Sequence, residues 1–254
     1  MSHISFSELK TWYECPFKHK LRYLDKLKGF VGNEYTAFGN AIHDTCELLL
    51  TEGTDYPHAF FLGRFDSILG DLRKDGVPIK ENMVSSMKDQ ARPLVDLVLP
   101  ALEDYFGEYE VVSAEENLYE PIANHDTKYK GFVDLVLKTP DGKYHVIDWK
   151  SCSWGWDARK KNEKMVTYQL TYYKHFFANK HGIDSDKVRT YFALLKRTAT
   201  KNQIEIFKVT SGQRKTDNAI NLLTKALYNI SNKTHPKNKL SCRNCEFYKT
   251  EHCP

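Results

Sequence analysis

Tyr129-Lys130-Gly131-Phe132-Val133-Asp134-Leu135-Val136-Leu137-Lys138, Thr139-Pro140-Asp141-Gly142 and Lys143-Tyr144-His145-Val146-Ile147-Asp148-Trp149-Lys150 read as strand, turn and strand. Each strand is apolar enough to be buried, yet each carries an aspartate. A carboxylate in such a place needs a partner. With the turn centred on Asp141, facing positions sum to 282, so Asp134 and Asp148 oppose each other. Facing Cβ atoms lie about 4.5–5.5 Å apart, and like charges there repel. A divalent cation between them reverses the sign of that effect. Strand alternation sets Asp148 and Lys150 on one face. Two carboxylates and a lysine converge, a set suited to Mg²⁺ or Mn²⁺ and to metal-assisted phosphodiester hydrolysis.

Outward from this hairpin, the periodicity changes. Upstream, Ser5-Phe6-Ser7-Glu8 has capping-box spacing and opens a helix toward Glu14. Pro16 starts a second helix reaching about Lys26, and apolar spacing predicts helices over 36–50, 57–75 and 81–106. Val111-Val112 begins the strand region. Downstream come a helix over 160–181, strands over 188–196 and 203–209, and a helix over 213–230. The expected fold is α/β: a central mixed β-sheet flanked by helices, with an N-terminal helical region and a C-terminal Cys-rich tail. The organisation expected is a single domain over 1–254, made of a helical region (1–108), a core (109–230) and a basic, Cys-rich tail (231–254).

The 254-residue composition, 41% hydrophobic and 28% charged, is that of a soluble globular protein rather than a disordered or collagenous one. No apolar run reaches the roughly 18–20 residues of a membrane span, and no signal peptide is evident, so a cytoplasmic protein is expected. The net charge of +4 conceals a division. Residues 1–125 hold 12 Lys/Arg against 21 Asp/Glu, net −9; residues 126–254 hold 25 against 12, net +13. The basic half, which contains the hairpin, suggests a polyanionic partner such as nucleic acid.

Cys242-x-x-Cys245, with Cys253 beyond, supplies three thiols, and Cys15 is available as a fourth. Thiolates suit zinc and iron–sulfur clusters alike, and His252 is a further possible ligand. Cys46 and Cys152 read as small buried hydrophobes. After the hairpin, Ser153-Trp154-Gly155-Trp156-Asp157-Ala158-Arg159-Lys160-Lys161 sets two tryptophans beside three cations, a pattern able to stack bases and hold phosphates.

Gly131-Phe132-Val133-Asp134 followed by Asp148-Trp149-Lys150 resembles the catalytic core of the PD-(D/E)XK nucleases, specifically the RecB-like branch. Phe38-Gly39-Asn40-Ala41-Ile42-His43 resembles that branch's first motif, and Gln169-Leu170-Thr171-Tyr172-Tyr173 its Q-h-x-x-Y motif. Ser5, Ser7, Leu9, Trp12, Cys15-Pro16, Leu21 and Tyr23 resemble the N-terminal segment of members carrying an iron–sulfur cluster, among them the CRISPR-adaptation nucleases and the B subunit of the AddAB helicase–nuclease. The resemblance implies that His43, Asp134, Asp148 and the backbone carbonyl of Trp149 bind Mg²⁺ or Mn²⁺. It implies that Lys150 positions the attacking water and that Gln169 and Tyr173 support the site. It also implies a [4Fe–4S] cluster on Cys15, Cys242, Cys245 and Cys253, with zinc as the alternative. The activity implied is that of a DNA exonuclease in recombination or repair, acting on ends or single strands, with Trp154, Trp156, Arg159, Lys160 and Lys161 along the DNA. Val133 stands where this branch usually has Pro, Asp148 where Glu is common, and the last cysteine interval is longer than usual. No P-loop occurs, so a helicase motor would belong to a partner protein. A catalytically inactive nucleic-acid-binding scaffold of the same fold is the alternative.

Overall fold

The computed structural model describes residues 2–254, apart from the side chain of Asn244. In order the elements are β1 (His3–Ser5), α1 (Phe6–Glu14), α2 (Pro16–His19), α3 (Glu34–Thr51), α4 (Pro57–Lys74), α5 (Glu81–Phe106), β2 (Glu110–Pro121), β3 (Lys128–Lys138), β4 (Tyr144–Cys152), α6 (Ala158–Lys161), α7 (Lys164–His181), β5 (Val188–Lys196), β6 (Ile204–Val209) and α8 (Gln213–Ser231). The strands form a six-stranded mixed sheet of order β1-β3-β4-β5-β6, with β2 also paired to β3.

Two compact units are assembled from separate stretches of chain. One comprises Gly32–Asn117 and Phe132–Thr210; the other comprises Met1–Val31, Leu118–Gly131 and Ser211–Pro254.

The larger unit holds the hairpin. Strands β3 and β4 are antiparallel, with Leu135 facing Ile147, Val136 facing Val146 and Leu137 facing His145. These are the pairings the turn arithmetic required. Strand β5 adds in parallel to β4, and β6 antiparallel to β5. Alternation divides the buried side chains. Leu135, Leu137, Ile147, Trp149, Ala193 and Leu195 join one core with Phe38, Ile42, Phe61, Phe65 and Leu94 of α3, α4 and α5. The opposite face, including Asp148, meets α7. The Phe38 ring lies edge-on to Phe61 at 5.3 Å, so this contact packs α3 against α4. Burial of each such ring contributes about 1.5–3 kcal/mol.

Local chemistry also explains where the helices depart from expectation. The expected helix over 160–181 is broken: α6 is one turn capped by Asp157, and α7 starts at Lys164. The cations of Arg159–Lys161 therefore sit in the last turn of α6, not at the start of a long helix. Asn33 caps α3 in a reciprocal capping box with Thr36. Strand β2 runs well beyond Val111-Val112, because its half-buried mixed residues hide the strand period.

In the smaller unit, β1 pairs in parallel with the start of β3, Ile4 facing Tyr129. The helix begun by Pro16 widens into a π-helical turn over Lys20–Leu24. Ser5 caps α1 by accepting the Glu8 N–H, but the capping box does not close, because the Glu8 carboxylate pairs with His19 at 2.9 Å.

Candidate active site and cysteine cavity

The β3–β4 ladder stops at Leu135 and Ile147, one step short of the aspartates. There the Asp134 side chain takes over: its Oδ2 accepts the backbone N–H of Trp149 at 2.7 Å. Asp148 is 1% exposed. Its Oδ1 accepts from Gln169 Nε2 at 2.7 Å, and its Oδ2 lies 2.6 Å from Lys150 Nζ. The same Gln169 amide donates to the Tyr173 hydroxyl at 3.1 Å, as two residues one helical turn apart can. His43 approaches from α3, with Nδ1 3.5 Å from Asp134 Oδ2 and a hydrogen bond to the Trp149 backbone. A Cβ on Gly39 would come within 3.3 Å of Ser151 Oγ, so Gly39 lets this turn of α3 lie close to β4. The structure therefore brings together His43, Asp134, Asp148, Trp149, Lys150, Gln169 and Tyr173.

Burial dominates the electrostatics. It raises Asp134 to about 6, against the pull of Lys150 and the Trp149 N–H. It raises Asp148 to about 6 as well, with Lys150 opposing and Asp134 adding to the shift. Burial and then the Lys150 cation lower His43 to about 4, which keeps its imidazole neutral at physiological pH. For Lys150 burial works downward, but Asp148 and Asp134 outweigh it and the net shift is upward.

One carboxylate that the sequence did not single out joins them. Glu115 of β2 is half-buried and adopts a left-handed φ of 49°, a strained conformation for a non-glycine residue in a strand. Burial raises it to about 7, with Asp134 and Glu47 the next causes. No sequence motif marks it.

Does this set fit a divalent cation? Hard oxygens from two aspartates and a neutral imidazole are suitable donors. Asp148 Oδ2 is buried and faces the Lys150 ammonium at 2.6 Å. A metal would offset the burial that raises both aspartates, and at Asp148 the added repulsion from Asp134. Among the described residues, no three His, Cys, Asp or Glu side chains are already drawn into a metal-holding arrangement. The donors fit by chemistry and burial rather than by preset coordination.

In the smaller unit, Cys15, Cys242, Cys245 and Cys253 line one cavity of about 460 Å³, together with Lys18, Lys237 and Lys239. All four are free thiols. Cys15 Sγ accepts the backbone N–H of Asn238 at 3.3 Å, the kind of contact that supports a thiolate ligand. The Asn238 amide donates to Glu14 O at 2.8 Å, and Lys18 pairs with Glu246 at 3.2 Å. Protein contacts alone thus join the N-terminal helices to the tail. Of the other cysteines, Cys46 is fully buried as expected, while Cys152 is only partly so.

The loop after β4 separates its aromatics. Trp156 packs edge-on to Phe192 at 5.1 Å, with Lys160 4.7 Å over its ring. Lys161 is paired with Glu205. Trp154, by contrast, is 75% exposed, and Arg159 is also exposed. Of the five residues expected to meet DNA, Trp154 and Arg159 are displayed, whereas Trp156, Lys160 and Lys161 already have protein partners.

The model of the PD-(D/E)XK nuclease superfamily matches residues 3–250. The chain belongs to this superfamily. A provisionally assigned exonuclease from Eubacterium rectale is structurally similar, with a TM-score of 0.62 and 14% identity over 100% of this chain and 90% of the other, a likeness of fold. A structure of SSO0001 aligns at 14% identity over 91% of each chain, with a TM-score of only 0.38. No curated protein matches the chain. The superfamily accounts for the hairpin at the centre of the larger unit. No helix among the described residues is long and apolar enough to cross a membrane.

Proposed function

We propose that this nuclease is a Mg²⁺- or Mn²⁺-dependent deoxyribonuclease of RecB-like type, an exonuclease acting on DNA ends or single strands in recombination, repair or related processing. The observation that carries the reading is the convergence of Asp134, Asp148 and Lys150 at the open end of the β3–β4 ladder, with His43 opposite.

Asp134, Asp148, His43 and the Trp149 carbonyl would hold the metal, which supplies an activated water and neutralises developing phosphate charge. Asp134, fixed by the Trp149 N–H, presents its carboxylate beside His43. Lys150 directs its ammonium at the same spot and is placed to orient the attacking water or to contact a phosphate oxygen. Gln169 fixes Asp148 from behind, and Tyr173 fixes Gln169. His43 remains neutral and available as a ligand.

Cys15, Cys242, Cys245 and Cys253 would hold a [4Fe–4S] cluster, with zinc the less favoured occupant. The lysines lining the cavity offset thiolate charge. Its role is structural, closing the smaller unit. The charge of +13 over residues 126–254 supports a polyanionic substrate. A helicase or recombination protein is a proposed partner, and any motor would be that protein's. A soluble, cytoplasmic location belongs to the same proposal.

The test is an anaerobic preparation incubated with end-labelled single- and double-stranded DNA and Mg²⁺ or Mn²⁺. Metal-dependent shortening from the ends is expected, and a broad visible absorption from the cluster. Intact DNA under every metal condition would overturn the enzymatic reading in favour of a binding scaffold. A colourless protein with one bound zinc would overturn the cluster.

A further inference from the structure

We propose that Tyr35 and Trp154 form a stacking platform for unpaired bases, braced by Arg197 and set beside the catalytic strand. The inference rests on the nuclease reading and narrows its substrate to single-stranded or frayed nucleic acid.

Single exposed aromatics are ordinary on protein surfaces. Here two are tied to one buried cation. Arg197 is only 7% exposed, yet among the described residues no carboxylate pairs with it. Buried arginines are rarely left without an acidic partner. Its guanidinium donates instead to Gln90 Oε1 and Ser153 Oγ, both at 3.0 Å. Its Cζ lies 5.2 Å from the Tyr35 ring centroid and 5.3 Å from that of Phe38. Ser153, which Arg197 grips, immediately precedes Trp154, and Thr198 also donates to Ser153 O at 2.8 Å. One guanidinium therefore fixes Tyr35 and grips the Ser153 side chain, while the backbone N–H groups of Arg197 and Thr198 donate to Cys152 O at 2.8 Å and Ser153 O at 3.1 Å and hold the chain that carries Trp154. Tyr35 is 47% exposed and Trp154 75%, so both rings present area to solvent.

The uncompensated positive charge behind two exposed rings matches a ligand with a π-face and a phosphate. That is the chemistry of an unpaired nucleotide. In a duplex the bases are stacked on one another and their faces are not available to the platform.

Position agrees with this. Tyr35 precedes His43 by two turns of α3, about 12 Å at 1.5 Å per residue. Trp154 lies four residues beyond Lys150, at most about 13 Å away. An unpaired strand advances by more than the roughly 3.4 Å of a stacked duplex at each step, so the platform meets bases about two to four nucleotides from the scissile phosphate.

The test compares cleavage of a single-stranded oligonucleotide with that of the same oligonucleotide lacking bases at those positions. Tyr35→Ala and Trp154→Ala should each raise KM for the intact strand by about ten-fold, with a smaller change in kcat. Tyr35→Phe and Trp154→Phe should restore most of it. On the abasic strand, wild type should show the raised KM and the alanine variants no further loss. Melting temperatures should match wild type. Equal losses on intact and abasic strands, or an unchanged KM in both alanine variants, would overturn the platform. Binding separates this from failure of the enzymatic reading. Quenching of tryptophan fluorescence by single-stranded DNA, lost in Trp154→Ala, would support the platform even in a protein that cleaves nothing. Absence of such quenching would refute it.

Discussion

Asp148→Asn should stabilise the metal-free protein while destroying its activity. Asp148 is raised from 3.8 to about 6, chiefly by burial, so its ionised form is disfavoured in the folded state. A shift of about two units corresponds to roughly 3 kcal/mol at neutral pH, at 1.36 kcal/mol per unit. The opposing pull of Lys150 at 2.6 Å is already contained in that shift; the imperfect hydrogen bonding of a buried amide at this position costs about 1–2 kcal/mol, so a net gain of about 1–2 kcal/mol is expected. For a chain of this size that is a rise of roughly 2–8 °C in Tm. The sign with pH follows from linkage. A carboxyl with a raised folded value binds more protons folded than unfolded between about 4 and 6, so wild-type stability falls as pH rises through that window. The advantage of the Asp148→Asn variant should be full above about pH 6 and absent below about pH 4. Excess Mg²⁺ should narrow it, because metal binds the folded wild type and raises its Tm. The assay is thermal melting of both proteins in EDTA and in Mg²⁺, from pH 4 to 8. A variant less stable than wild type in EDTA at pH 7 would refute the reasoning, as would a wild-type Tm indifferent to Mg²⁺.

Gln169→Ala frees Asp148 Oδ1 and should lower activity or metal affinity by about 10–100-fold, read as kcat against metal concentration. Metal binding, followed by calorimetry, should weaken as pH falls through about 6, because Asp134 and Asp148 take up protons there. Pronounced binding at pH 4.5 would contradict this. Cys245→Ala should lower Tm and bleach visible absorption together, if the four thiols lining the cavity hold a cluster.

The hairpin was legible because its turn, Thr139–Gly142, leaves one pairing register and because alternation places Asp148 and Lys150 on one face. That Gln169 and Tyr173 share a helix face followed from their spacing, whereas the chain Tyr173–Gln169–Asp148 required tertiary packing to appear. Glu115 was invisible because a left-handed residue inside a strand has no signature in one sequence. Trp154 and Trp156 looked equivalent, two residues apart. Only the packing of Trp156 on Phe192 decided which of them faces solvent. Arg197 lay outside every motif, since its significance is that, among the described residues, no carboxylate pairs with it. The regions read from the order of elements were contiguous, whereas the two compact units draw on interleaved stretches.

The most direct measurement of the central claim is DNA cleavage and DNA binding in Asp148→Ala and Lys150→Ala, side by side with wild type in Mg²⁺ or Mn²⁺. The account predicts cleavage lost by at least about 100-fold in each, with binding to labelled DNA retained. Cleavage by either variant at the wild-type rate would contradict it.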